Sequence, residues 1–130
     1  MNEHELGFVT FLAEPTRRRV LALLELGPKR RKDVRALLDH AVTLDLRYAH
    51  RLEGGQASAC SVAETLRDHG APATCDLVSA DAALDGREMP LSDAVEAVSG
   101  SFHGGFVSCI PGTLGYFEHE DVKSAYLLRR

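Results

Sequence analysis

Apolar residues recur at helical spacing from Met1 to about Gly70 and alternate in steps of two near the C-terminus. His4 to Ala13 gathers Leu6, Phe8, Val9, Phe11 and Leu12 on one broad surface, which predicts a first helix. Pro15 ends it and suits the start of a second, because proline presets a helical φ where the amide has no partner to lose. That helix runs to about Leu26 with Val20, Leu21, Leu23 and Leu24 inward, and Gly27-Pro28 stops it. Lys32 to Val42 forms a third, with Val34, Leu37, Leu38 and Ala41 as one stripe. A short helix is predicted from Asp45 to Leu52, with Asp45 as N-cap. Glu53 to Gln56 is the softest stretch, and a further helix spans Ser58 to His69 before Gly70.

Beyond Pro72 the period changes. Ala73 to Ala80 predicts a strand, Asp81 to Glu88 a polar connection with an Asp85-Gly86 turn, and Pro90 to Val98 a short helix. Phe106 to Ile110 and Thr113 to Glu118 form a hairpin around Pro111-Gly112. Its register sets Phe106 opposite Phe117, Val107 opposite Tyr116, Ser108 opposite Gly115, Cys109 opposite Leu114 and Ile110 opposite Thr113. Val107, Cys109, Leu114 and Tyr116 then share one face, and Phe106, Ile110 and Phe117 the other. Both faces are apolar, so one packs on the Pro90 helix and the other on the N-terminal helices. Pro-Gly favours a type II turn whereas two-residue hairpins favour the primed types, so a bulge or longer loop shifts the register by one. Ala125 to Leu128 is the last strand, reached through the acidic loop Glu118 to Asp121.

The predicted fold class is α+β: an N-terminal helical region of four to five helices, about 3–70, followed by a β-α-β-β-β unit, about 73–130, with a small antiparallel-rich sheet in a single domain 1–130. Apolar residues make up 45% and charged residues 26%, which excludes a disordered or fibrous chain. No apolar run reaches the roughly 18 residues that span a bilayer, so no membrane is expected. The N-terminus lacks the basic start of a secretory leader, which makes the cytoplasm the expected location. Cys60, Cys75 and Cys109 are odd in number and widely spaced, so free thiols are expected rather than a disulfide framework.

Charge is uneven beneath a net value of −4. Arg17, Arg18, Arg19, Lys29, Arg30, Arg31, Lys32 and Arg35 face only Glu25 and Asp33 between Arg17 and Arg35, a local +6. Within that patch Arg18, Lys29, Arg30, Arg31 and Arg35 are the candidate binding residues, for a protein partner or for phosphates. The adjoining Ala13-Glu14-Pro15-Thr16-Arg17-Arg18-Arg19-Val20-Leu21-Ala22-Leu23-Leu24 resembles the first core helix of ArsR-type winged-helix repressors, a resemblance that implies nucleic-acid contact. Such a repressor continues with a recognition helix after Ala41 and a strand-paired wing, whereas Thr43 to Gly55 predicts one short helix with no hairpin behind it.

Candidate chemistry is sparse. Cys60, His69, Cys75, His103, Cys109 and His119 lack the close pairing of zinc ligands, so no metal and no cofactor is expected. A small hydrolase or transferase would use His103, Cys109, Glu118 and His119. Against that, the hairpin register surrounds Cys109 with apolar neighbours, and His119 falls in an exposed acidic loop that favours its protonated form. The favoured reading is a non-enzymatic binding or regulatory module. A free sheet edge would make it a homodimer.

Overall fold

Pairing of the C-terminal strands organises the molecule. The computed structural model describes every residue except 41, 122 and 123, and only the backbone of residue 40. Helices α1 (Glu3–Thr10), α2 (Thr16–Glu25) and α3 (Arg31–His40) precede strand β1 (Ala49–Leu52) and helix α4 (Ala59–Asp68). Strands β2 (Thr74–Ser79) and β3 (Glu88–Pro90), helix α5 (Leu91–Val98) and strands β4 (Gly105–Ile110), β5 (Leu114–Glu118) and β6 (Ala125–Arg129) follow. The fold is α+β, with an N-terminal helical region and a C-terminal β-α-β-β-β region that gains the short edge strand β3 before its helix. The strands form one sheet in the order β1-β6-β5-β4-β2-β3, and each ladder is antiparallel.

Side-chain alternation sends the two faces of this sheet to two cores. Phe106, Phe117, Val78 and Leu128 pack with Phe8, Phe11, Val20 and Val34 under α1, α2 and α3. Val107, Tyr116, Leu77 and Leu127 pack with Val62, Leu66, Ala94 and Val98 under α4 and α5. The hairpin is therefore covered on both faces, one by the Pro90 helix and the other by the N-terminal helices. Phe8 stacks on Phe106 with ring centroids 4.7 Å apart, the closest aromatic contact across the α1–sheet boundary.

The hairpin follows the predicted register at Phe106–Phe117, Val107–Tyr116 and Ser108–Gly115, then departs from it. Ile110 pairs with Leu114 rather than Thr113, and Cys109 becomes the extra residue of a β-bulge. Gly112 takes φ 71°, the left-handed value a type II turn needs at its third residue, and the Thr113 amide donates to the Ile110 carbonyl at 2.9 Å. The loop thus gains Thr113, and the bulge absorbs the mismatch between a type II turn and the strand twist. The bulge turns Ile110 to the α4–α5 core, away from Phe106 and Phe117, while Cys109 keeps its predicted neighbours.

Three other expectations change. The segment 45–52 is a turn followed by β1, not a helix. Asp45 accepts from the Arg47 amide at 3.1 Å and binds the Arg47 guanidinium, which closes a local turn instead of capping a helix. Ala49 to Leu52 then gains a full ladder to β6, which outweighs its local preference. Glu88–Pro90, read as connection and helix start, pairs with β2 as a short edge strand ending where a missing amide is tolerated. Helix α3 ends at His40, before the predicted Val42, and Ala41 of its expected stripe lies outside the described residues.

Gly7 lies where α1 crosses the hairpin turn, and an added Cβ there would fall on the backbone of Pro111 and Gly112. Gly7→Ala should destabilise the protein by about 1–3 kcal/mol in urea unfolding. Gly55→Ala, with open space around it, should change stability by less than about 0.5 kcal/mol.

Candidate functional site

The basic run divides into three parts on the outer side of the helical layer. Arg31 and Arg35 project one turn apart from α3 into a cleft of about 390 Å³ between the start of α1, the end of α2 and the β2–β3 loop. There Asp85 accepts two hydrogen bonds from Arg31, at 2.6 and 2.8 Å, and one from the Ser79 amide at 3.0 Å. Glu5 reaches Arg31 at 3.2 Å, and Arg35 reaches Asp85 at 3.6 Å. The hydrogen bond to Asp85 raises the Arg31 pKa above its ordinary value despite partial burial. Two cations and two carboxylates share this site, over an apolar floor that includes Leu24 and Val34.

Arg18 belongs to a second depression, an open groove of about 500 Å³ between α2 and α3. Pro15, Ala22 and Leu37 make its lining largely apolar, and Arg18 and Arg19 border it. Arg18 is 86% exposed and reaches only Glu14, at 3.9 Å, while Arg19 has no ion pair among the described residues. Lys29 and Arg30 lie in the exposed turn before α3, where Arg30 binds Asp33 at 2.9 Å. The five predicted residues are thus neighbours on one side but face different surroundings.

Among the residues of the enzymatic alternative, Cys109 is kept apart from His103. His103 precedes β4, with Nδ1 buried and 3.6 Å from Asp39 of α3. Cys109 lies at the far end of the same strand, facing the opposite core. Six strand residues at about 3.3 Å each separate the two regions by roughly 20 Å. Beside His103, Phe102 holds φ 62° and is 70% exposed; Gly104 and Gly100 pin this loop through amides donated to Asp39 and Glu118 at 3.0 and 2.8 Å. Glu118 is a correction: it is the buried last residue of β5, not part of an exposed acidic loop. Its second oxygen accepts from the Tyr116 hydroxyl at 2.7 Å. Burial, with the adjacent carboxylate, raises the Tyr116 pKa and keeps the phenol neutral.

His119 is a second correction. It is half-buried, edge-on to Phe117 at 4.8 Å and Tyr126 at 5.7 Å. Loss of hydration outweighs Asp121 and Glu120, so its pKa falls rather than rises.

Two polar clusters escaped the sequence reading. His4 Nδ1 lies 2.6 Å from Ser108 Oγ, and its Nε2 lies 3.6 Å from Asp76. Asp76 and Ser108 are cross-strand partners and His4 comes from α1, so only the ladder and the helix docking join them. Ser108 is fully buried, which denies its hydroxyl to a substrate and leaves the group as a tie between α1 and the sheet. The other is a pair of buried thiols, Cys75 of β2 and Cys109 of β4, with sulfurs 3.3 Å apart. An S–H donated by Cys109 stabilises a Cys75 thiolate and lowers its pKa; the same contact, with burial, raises that of Cys109. An alternating strand pattern hides such pairs until the partner strand is known.

Among the described residues no group of three or more His, Cys, Asp or Glu could hold a metal ion, and no helix is long and apolar enough to cross a membrane. The architecture is that of a small α+β chain with helices on both faces of one antiparallel sheet. No family model, curated protein or solved structure matches it. The repressor-like sequence of α2 is not continued in three dimensions: α3 leads through a turn to β1, with no recognition helix or wing hairpin between α3 and α4 among the described residues.

Asp85→Ala leaves Arg31 beside Glu5 alone and the Ser79 amide without its acceptor. The expected cost is about 2–3 kcal/mol in urea unfolding, below a fully buried pair because Arg31 retains solvent. For His119 the folded pKa lies below the ordinary ~6.5, so the unfolded chain takes up the proton first as pH falls. This group therefore removes stability as pH drops from about 6.5 towards the folded pKa. His119→Gln should narrow the gap between urea midpoints measured at pH 7.5 and 5.5.

Proposed function

We propose that this chain is a non-enzymatic binding module that receives an acidic, amphipathic segment of a partner protein on the outer face of α2 and α3. The observation that supports this reading is the open groove between those helices. Its apolar lining gains from excluding water, while Arg18 and Arg19 at the border keep their charges hydrated and available. A helical segment with apolar residues at i, i+3 and i+4 and flanking carboxylates matches both features. The salt-bridged cleft around Arg31 and Asp85 would hold α3 in place beneath the contact.

Nucleic-acid binding is less well supported. Arg30, Arg31 and Arg35 already face carboxylates, which phosphates would have to displace, and the groove beside Arg18 is apolar. Self-association through the sheet edges has little support as well. β1 and β3 are short, with exposed Arg51 on one and Pro90 on the other, features that discourage edge pairing.

Panning a display library of helical peptides against the full chain tests the proposal. Selected peptides should be rich in acidic residues beside an apolar i, i+3, i+4 stripe. They should lose at least tenfold in affinity against Ala22→Glu and against the double variant R18E/R19E, both on exposed positions. Selected peptides that are basic, or that bind Ala22→Glu as tightly as the parent, would overturn it. A 20-base-pair duplex should show no binding at low ionic strength; binding that weakens steeply with salt would favour the nucleic-acid reading instead.

A further inference from the structure

The geometry points to Cys75 and Cys109 as a redox modification site that closes an internal disulfide between β2 and β4. This site lies on the sheet face opposite the α2–α3 groove, so it stands apart from the proposed binding function.

Four observations carry the inference. The sulfurs are 3.3 Å apart in van der Waals contact, and a bond requires them to approach to about 2.05 Å. The two residues lie one position beyond the Asp76–Ser108 partners of the β2–β4 ladder, where antiparallel Cα atoms are about 4.5–5.5 Å apart, within the span a disulfide bridges. The bulge at Cys109 releases it from strict pairing with β5, so its side chain can shift without breaking the ladder on the other side. Cys75 pairs on its outer side only with Met89 of β3, a three-residue edge strand whose local opening gives a small oxidant access.

Hydrogen peroxide supplies the oxidising equivalent. One thiol attacks the peroxide oxygen and becomes a sulfenic acid, releasing water. The second sulfur then displaces the hydroxyl, which leaves with that thiol's proton as another water. Two S–H bonds and one O–O bond are lost, and one S–S bond and two O–H bonds form, the latter in the two waters. Cys60, exposed on α4, has no such partner and would give adducts or intermolecular links.

Trypsin separates the three cysteines, because cleavage after Arg51, Arg67, Arg87 and Lys123 leaves them on peptides 52–67, 68–87 and 88–123. The test treats folded, reduced Cys60→Ser chain with hydrogen peroxide, quenches with iodoacetamide in denaturant, and measures intact and peptide mass. The expected product is a monomer about 2 Da lighter than the reduced chain, with peptides 68–87 and 88–123 joined and released by dithiothreitol. Its circular dichroism should be unchanged and its Tm raised, since a closed loop restricts the unfolded chain. Both thiols remaining open to alkylation, oxygen retained on Cys75 or Cys109 in place of the link, disulfide-linked dimers, or a joined product with a lowered Tm would each overturn the proposal. The readout needs no substitution at Cys75 or Cys109, so it does not depend on either variant folding.

Discussion

Burial of the β4–β5 hairpin on both faces is the constraint on which the rest of this structure depends. A strand covered on one side can leave its other side polar; here Phe106 and Phe117 point one way and Val107 and Tyr116 the other, and all four are buried. Two separate helical layers are then required. The N-terminal helices supply one through the Phe8–Phe106 stack, and α4 with α5 supplies the other. The close crossing of α1 over the turn, at Gly7, follows from the same demand, because a helix reaching that face must pass the Pro111–Gly112 loop.

Around this centre, polar side chains fix the parts that the apolar cores do not reach. Asp85 joins the β2–β3 loop to α3 through Arg31, Asp39 and Glu118 hold the two ends of the 100–104 loop, and His4 ties the first helix to the sheet through Ser108. Each of these acceptors or donors has a partner distant in sequence. Hydrogen bonds to ionised groups are stronger than neutral ones, and a buried group stripped of its partner is costly, so these contacts set loop positions as well as adding stability. The outer face of α2 and α3 lies beyond this network. Its groove keeps apolar surface and arginine charge open together.

Much of the fold was legible because periodicity reports burial directly. The stripe Val34, Leu37 and Leu38 located α3, and three cross-strand pairs located the hairpin. Local chemistry misled where it had two outlets. Asp45 could cap a helix or close a turn, and the guanidinium of Arg47 decided between them. Glu118 and His119 looked hydrated among acidic neighbours, yet they lie at the end of a central strand, where Tyr116, Phe117 and Tyr126 enclose them. Of the basic run, sequence supplied the residues but not their division, because the acids that engage Arg31 and Arg35 come from elements far away.

The sequence by itself determined the class of fold, the order of most elements, the helix stops at Gly27 and Gly70, and the two-faced character of the hairpin. These follow from spacing and backbone freedom, which are local properties. Tertiary structure alone decided the edge strands β1 and β3, the bulge at Cys109, the ion pairs around Asp85 and the contact between Cys75 and Cys109. Edge strands exist only through the ladder of a partner, and buried polar groups meet only when distant segments dock. No local pattern encodes either.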